Sequence, residues 1–366
     1  MYIQINTKEL QQAVNTASRF SEKKLTTLPV LSCIVFIAEK NTITIQATNL
    51  EVGVELTLEG LVKTPGTVAI PTTVLKETIS TLPSSGTITL QCTNQTLKVL
   101  SESGTSTIKT LSPEDFPNPP SPEEKKTNTS IPGNTLKNLI TSVVSYASTS
   151  TVRPELSSVL LKAQGGTIIS VATDSFRLAE KKASTTTQTN PFSILVPAKN
   201  IQSIIDTIPD ETVQIIADDH QCSLVWEAGR VTTRLVAAEY PDYVQIIPKT
   251  FVTNATVLKK DFESSLKRTA VFSDAFQKVR LGFSVKTKEV TLSSRNNDVG
   301  ETEEHLSASL DGEDIELSFN HRYLQAPLSA FPHESITLSS SGIGRPLVIK
   351  SVGDSSFLYL VMPMNQ

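Results

Sequence analysis

Cysteine is scarce: three residues in 366, Cys33, Cys92 and Cys222, odd in number and far apart. None stands in the short spacing of a metal knuckle or a redox pair, and a reducing cytoplasm suits such a chain. Aromatics make up 5% of the residues, charged residues 19%, and the formal net charge is −4. That balance excludes a basic nucleic-acid-binding tail and a disordered acidic chain, while leaving local patches open. No run approaches the roughly 20 apolar residues that cross a bilayer. The start, MYIQINTKEL, lacks a basic region followed by an apolar stretch. A cytoplasmic protein with no membrane partner is expected.

Catalytic signatures are missing as well. There is no GxxxxGKS/T phosphate loop, no GxSxG elbow and no HExxH or clustered Cys/His site. The four histidines, His220, His305, His321 and His333, are scattered. His220 lies in ADDHQ between VQII and SLVW, where a solvated hairpin turn is favoured over a metal ligand. Serine and threonine abound, but nothing nominates a base and an orienting partner for a nucleophile. The expectation is no catalytic residue, no metal and no cofactor; the chain acts by binding other macromolecules.

What is present is repetition. IPTTVLKETISTLP (70–83) returns as VPAKNIQSIIDTIP (196–209) and FNHRYLQAPLSAFP (319–332), each ending in proline and each followed by a β-rich run. Leu75, Ile79 and Leu82 map onto Ile201, Ile205 and Ile208, then onto Leu324, Leu328 and Phe331, a spacing that suits one helix face. Pro327 removes a helical hydrogen bond in the third copy, so that helix is expected to kink or start late. A second helix precedes each: Leu10, Ala13, Val14, Ala17; Leu136, Leu139, Ile140, Val143; and a looser Leu258, Phe262, Leu266, Thr269. Short alternating strands lie between. PNPPSPEEKKTNTS (117–130) has linker composition, and PKTFVTNA (248–255) is a tighter junction. Domains are expected at 1–122, 123–249 and 250–366, in an α+β fold.

Positive charge recurs on the helices. Lys23 and Lys24 follow the first, Lys76, Lys199 and Arg322 occupy the repeated second helix, and Lys137 and Lys259 are read as equivalents. These are either ordinary solvated helix surface or a basic face for phosphates, and spacing favours the former. At the end of the chain, FLYLVMPMNQ places Met362 and Met364 beside Leu360, Val361 and Pro363. Methionines suit surfaces that accept several partners; a strand packed inside its own domain is the equal alternative.

Six segments together, TLPVLS (27–32), IPTTVLKETISTLP (70–83), LSPEDFP (111–117), VATDSFRLAEKKA (171–183), EYPDYVQIIPK (239–249) and YLVMPM (359–364), give the chain a family resemblance. Over its whole length it resembles the β subunits of bacterial DNA polymerase III, the ring-shaped sliding clamps. The resemblance implies three similar DNA-clamp domains, each with two helices packed on antiparallel sheets, and a head-to-tail homodimer forming a six-domain ring. It implies a non-catalytic processivity factor around double-stranded DNA, with Lys23, Lys24, Lys76, Lys137, Lys199, Lys259 and Arg322 as candidate DNA contacts.

A cleft between the second and third domains would take short peptides from the replicative polymerase α subunit, the clamp loader, other polymerases and repair proteins. By resemblance its residues are Leu156, Thr173, Ser175, Phe176, Arg177, Leu178, Pro241, Gln245, Ile246, Pro346, Leu360, Val361, Met362, Pro363 and Met364. The dimer contact would join Val271 and Phe272 to the Ile108 region, flanked by Glu301, Glu303 and Glu304. Gln245, where some members carry arginine, and the Asn365-Gln366 end, where a basic penultimate residue is frequent, depart from the family pattern. A peptide-binding scaffold without DNA and a serine hydrolase are the competing readings.

Overall fold

The computed structural model describes residues 1–22, 27–117, 122, 127–185 and 190–364. The chain packs as two compact units. The first joins Met1–Lys137, Gln164–Gly166 and Thr185–Ala237; the second joins Asn138–Ala163, Thr167–Ser184 and Ala238–Gln366. Among the described residues the α-helices are α1 (Thr7–Ala17), α2 (Thr72–Ser80), α3 (Gly133–Thr141), α4 (Ala198–Ile205), α5 (Lys259–Ala270) and α6 (His321–Gln325). The strands pair antiparallel. None of the helices is long and apolar enough to cross a membrane.

Helix α1 shows why these segments fold as they do. The Asn6 side chain accepts from the amides of Lys8 and Glu9, at 3.0 and 3.3 Å, satisfying donors that the first turn leaves open. Leu10, Ala13, Val14 and Ala17 are then buried along one face. Helices α1, α3 and α5 begin 126 residues apart each time. That interval corrects the expected register of the third copy. Leu258 is not on the buried face: it is the N-cap of α5 and 52% exposed, and the fully buried Phe262 stands where Leu10 and Leu136 stand. Lys259 opens α5 while Lys137 is the fifth residue of α3, so the two are not equivalents. Pro327 has the expected effect of interrupting its helix: α6 stops at Gln325, and a 3-10 turn, Leu328–Ala330, follows the proline.

The repeats are joined by shared sheets. In the first unit, Gly229–Arg234 pairs with Val52–Glu59, with Val231 opposite Val54, so eight strands run continuously from Thr127–Pro132 to Gly66–Pro71. In the second unit, Arg177–Ser184 pairs with Asp354–Val361. The expected linker 117–130 is thus too long, because Thr127–Pro132 is a strand paired to Thr212–Ala217. The junction read at 248–255 likewise gives its end to the strand Thr253–Leu258. His220 lies in a turn whose amides at His220 and Gln221 each donate 2.8 Å to Asp218 Oδ1, as expected of an exposed hairpin. Burial pushes the Cys33 and Cys222 thiols up to about 11 and about 12, so both act as small hydrophobic groups. Each of the four sheets among the described residues has two edge strands; Gly104–Lys109 is one in the first unit and Gly300–Ser307 one in the second.

Candidate partner-binding site

In the second unit, the strands Thr167–Thr173 and Arg177–Ser184 are joined by a tight turn at Asp174, Ser175 and Phe176. Asp174 Oδ1 accepts from the amides of Phe176 and Arg177, both at 3.0 Å. Thr173 Oγ1 donates 2.7 Å to the Arg177 carbonyl and accepts from the Ser175 amide at 3.2 Å. These bonds hold Ser175 at φ +78°, a conformation that serine adopts only when its surroundings impose it. The consequence is that Phe176 is thrown outward, 60% exposed.

Arg177 is the centre of the site. Its Nε donates 2.9 Å to Asp174 Oδ2, and its guanidinium carbon lies 5.3 Å from the ring centre of Tyr146 and 4.7 Å from that of Tyr323. Cation–ring contacts of this kind are worth about 0.5–2 kcal/mol, more as water is excluded. Burial is the largest single influence and works against the charge, but the hydrogen bonds and charges of its neighbours, Asp174 first, together outweigh it and raise the guanidinium pKa. Tyr146 packs on Tyr359 with ring centres 5.1 Å apart. Their hydroxyls donate to backbone carbonyls, Tyr146 to Ala326 at 3.2 Å and Tyr359 to Tyr323 at 2.7 Å. Burial pushes the Tyr146 phenol up to about 12 and that of Tyr359 well above its ordinary value. A permanent cation is therefore held in a cage of neutral aromatics.

The chain end closes against this turn. Arg177 pairs with Val361 and Leu178 with Leu360, after which the Met362 amide donates 2.8 Å to the Phe176 carbonyl and the Met364 amide 2.7 Å to that of Ser318. Met362, Pro363 and Met364 are half-buried, and the Phe176 ring stacks over Tyr323 at 6.4 Å and 28°. Thr173, Ser175, Phe176, Arg177 and residues 360–364 are thus brought together. Several expected wall residues are not surface. Leu156, Leu178, Leu360 and Val361 are at most 5% exposed and Pro346 is buried, because they form strands and packing beneath the site. Pro241, Gln245 and Ile246 lie on another segment, fastened to the same strand through Tyr243 and Glu180. The aromatic cage itself escaped the sequence reading. Tyr146, Tyr323 and Tyr359 carry no shared spacing, and the one signal was tyrosine in a chain poor in aromatics.

The helix cations differ in availability. Lys76 and Arg322 are exposed with no ion pair among the described residues. Lys137 pairs with Asp210 at 2.7 Å, and Lys199, 66% exposed, with Glu51 at 3.4 Å. Lys259 Nζ donates 2.7 Å to the Phe331 carbonyl, a structural tie at the end of the broken helix. Lys23 and Lys24 lie outside the described residues, as do Asn365 and Gln366.

Of the expected dimer residues, Val271 is 67% exposed, while Phe272 is half-buried with its ring 3.6 Å from where a Gly300 side chain would begin. Ile108 is 4% exposed and packs into its own sheet, so it offers no contact surface. Along Gly300–Ser307 the period-two pleat exposes Glu301 and Glu303 and turns Glu304 toward α5, where Arg268 and Ser265 bind it. The hydrogen bond from Arg268 holds the Glu304 carboxyl below the usual range. Among the described residues no group of three or more side chains is arranged to hold a metal.

Family models match the chain in order: the N-terminal domain of the DNA polymerase III beta subunit over residues 1–120, its central domain over 130–242 and its C-terminal domain over 244–365. The beta sliding clamp of Streptococcus pneumoniae serotype 4 is 28% identical over 379 residues, covering 100% of this chain and 99% of that protein. That of Synechococcus elongatus is 26% identical over 346 residues, 92% of each. The solved sliding clamp of Pseudomonas aeruginosa bound to griselimycin is similar with a TM-score of 0.94 at 25% identity over the whole of both chains. The Thermotoga maritima beta subunit gives 0.91 at 25%, over 100% of this chain and 99% of its own.

Proposed function

Because the chain belongs to the DNA polymerase III beta subunit family, we propose that two copies close head to tail around duplex DNA and tether the replicative polymerase through short peptides docked beside Arg177. The chain is a replication sliding clamp built of three clamp domains. We assign those domains to 1–122, 123–249 and 250–366 and take the clamp to be a non-catalytic cytoplasmic processivity factor.

The observation that carries the docking site is the cage around Arg177. An exposed phenylalanine and a fixed cation stand on one turn, and half-buried methionines are brought against it where the Met362 amide donates to the Phe176 carbonyl. Apolar anchors with a few oriented polar groups are what an extended peptide needs. The clamp loader, other polymerases and repair proteins would compete for the same face. For the homodimer, the open edges Gly104–Lys109 and Gly300–Ser307 are complementary, since pairing them caps both and sets Lys109 near Glu301 and Glu303. Such exposed pairs contribute only about 0–1 kcal/mol each, so Val271 and the strand hydrogen bonds would dominate.

The test is topological. Loaded on nicked circular DNA, the clamp should stay bound until the circle is cut and then run off. Equal retention on circular and linear DNA rejects the ring. In parallel, Phe176→Ala should weaken binding of a fluorescent clamp-binding peptide of the polymerase α subunit; unaltered binding rejects the docking site.

A further inference from the structure

The segment 239–247 carries Pro241, Gln245 and Ile246, yet its only regular structure is a 3-10 turn, Tyr243–Gln245. A single such turn is weak by itself. Its deep anchor is Tyr243, 7% exposed, whose hydroxyl donates 2.7 Å to Glu180 Oε2. Tyr240 packs edge-on to the same ring, 6.4 Å away. Glu180 is itself 5% exposed, in mid-strand opposite Leu358, and its Oε1 takes Lys182 Nζ at 2.8 Å.

A carboxylate is an unfavourable occupant of such a place unless both oxygens are satisfied. Here both are, one by a surface lysine and one by the turn. Burial first, and the carboxylate second, push the Tyr243 phenol far up, so the hydroxyl remains a donor. With Tyr243 turned inward, Val244 and Ile246 are left 54% and 47% exposed on the outer side, with Gln245 between them.

We propose that Glu180 is a positioning residue for partner binding: it clips the Tyr243 turn to the strand that bears Arg177, so that Val244, Gln245 and Ile246 are presented as one preformed wall to an apolar peptide. The proposal rests on the docking reading above. A wall ordered before binding spares the peptide the cost of ordering it, and apparent affinity is proportional to the docked fraction.

Three variants of the full-length protein test it: Tyr243→Phe, which keeps the ring and loses the bond; Glu180→Ala; and Glu180→Gln, whose carbonyl still accepts. Amide hydrogen exchange over residues 241–247 reads the clip without any peptide. Tyr243→Phe and Glu180→Ala should speed it about tenfold, the loss of one charge-assisted hydrogen bond, and raise the Kd of the α-subunit peptide by up to the same factor, as the docked fraction falls. Glu180→Gln should restore both. A merely structural glutamate would lower the unfolding midpoint without changing Kd, and that outcome overturns the proposal. So does unaltered exchange in Tyr243→Phe, the milder change should Glu180→Ala fail to fold, or a Glu180→Gln as weak as alanine. If Phe176→Ala also binds peptide normally, the docking reading has failed; if it alone loses binding, only the clip has.

Discussion

Salt dependence of DNA binding follows from which cations are free. Each phosphate neutralised contributes about −0.9 to the slope of log K against log salt. Lys76 and Arg322 are the exposed, unpaired members of the candidate set among the described residues. Two chains then give four cations and a slope of roughly −3.6. Lys23 and Lys24 on both chains would bring it to roughly −7, and all seven positions twice over to roughly −13. The assay is fluorescence anisotropy of a short linear duplex titrated with clamp from about 50 to about 300 mM salt, over which the Debye length falls from roughly 14 Å to roughly 6 Å. The Lys199–Glu51 pair, though worth only about 0–1 kcal/mol, carries no net charge and so offers phosphate little. Glu51→Gln should therefore steepen the slope by up to about 1.8, Lys76→Ala should flatten it by about 1.8, and Lys199→Ala should change it least. A wild-type slope near −13, or a Lys199→Ala effect as large as that of Lys76→Ala, would refute the reasoning that internal pairing silences these lysines.

Val271→Asp puts a charge on the exposed apolar end of α5 and should turn a native mass near twice 39.7 kDa into one near 39.7 kDa by light scattering. Arg177→Ala removes the guanidinium from between Tyr146 and Tyr323 and should raise the peptide Kd by about tenfold or more while leaving the DNA salt slope alone. At alkaline pH the Tyr146 phenol, raised in the fold to about 12 from an ordinary value near 10, favours the folded state while neutral. That contribution is complete below about pH 10 and lost as pH rises toward about 12. Tyr359 is shifted in the same direction. Urea midpoints should fall over that window and fall less in Tyr146→Phe; a flat profile to pH 11.5 contradicts the buried cage.

The repeat was legible because helix faces leave a record of spacing, but its third register was not. Leu258 fits a helical pattern with Phe262, Leu266 and Thr269, yet it closes the strand Thr253–Leu258, where the pleat buries Thr253, Ala255 and Val257 and leaves Leu258 outside. The period-two reading was there in TNATVL, and a short apolar run admits both periods. The same pleat separates Glu301 and Glu303 from Glu304, three acids that look alike in sequence and face opposite ways. At the docking site, the local part was readable and the distant part was not. TDSFR is a turn motif whose aspartate, serine and arginine act within five residues. The rings that enclose Arg177 come from positions 146 and 323, and Tyr359 packs behind them, so only the sheet pairing of Arg177–Ser184 with Asp354–Val361 and the fold around it bring them together.

Glu180 shows the limit most clearly. In RLAEKKAS it reads as one of several strand charges on a solvated face, and its neighbours Lys181 and Lys182 reinforce that reading. The register with Leu358 instead turns it inward, where a carboxylate persists only because Tyr243 and Lys182 satisfy it. A charge that alternation places on the inner face of a strand, with a tyrosine about 60 residues away on a segment of little regular structure, is a signal that sequence analysis can look for, since burial without a partner would be too costly to keep. The partner it finds then tells which loop the fold needs to hold still.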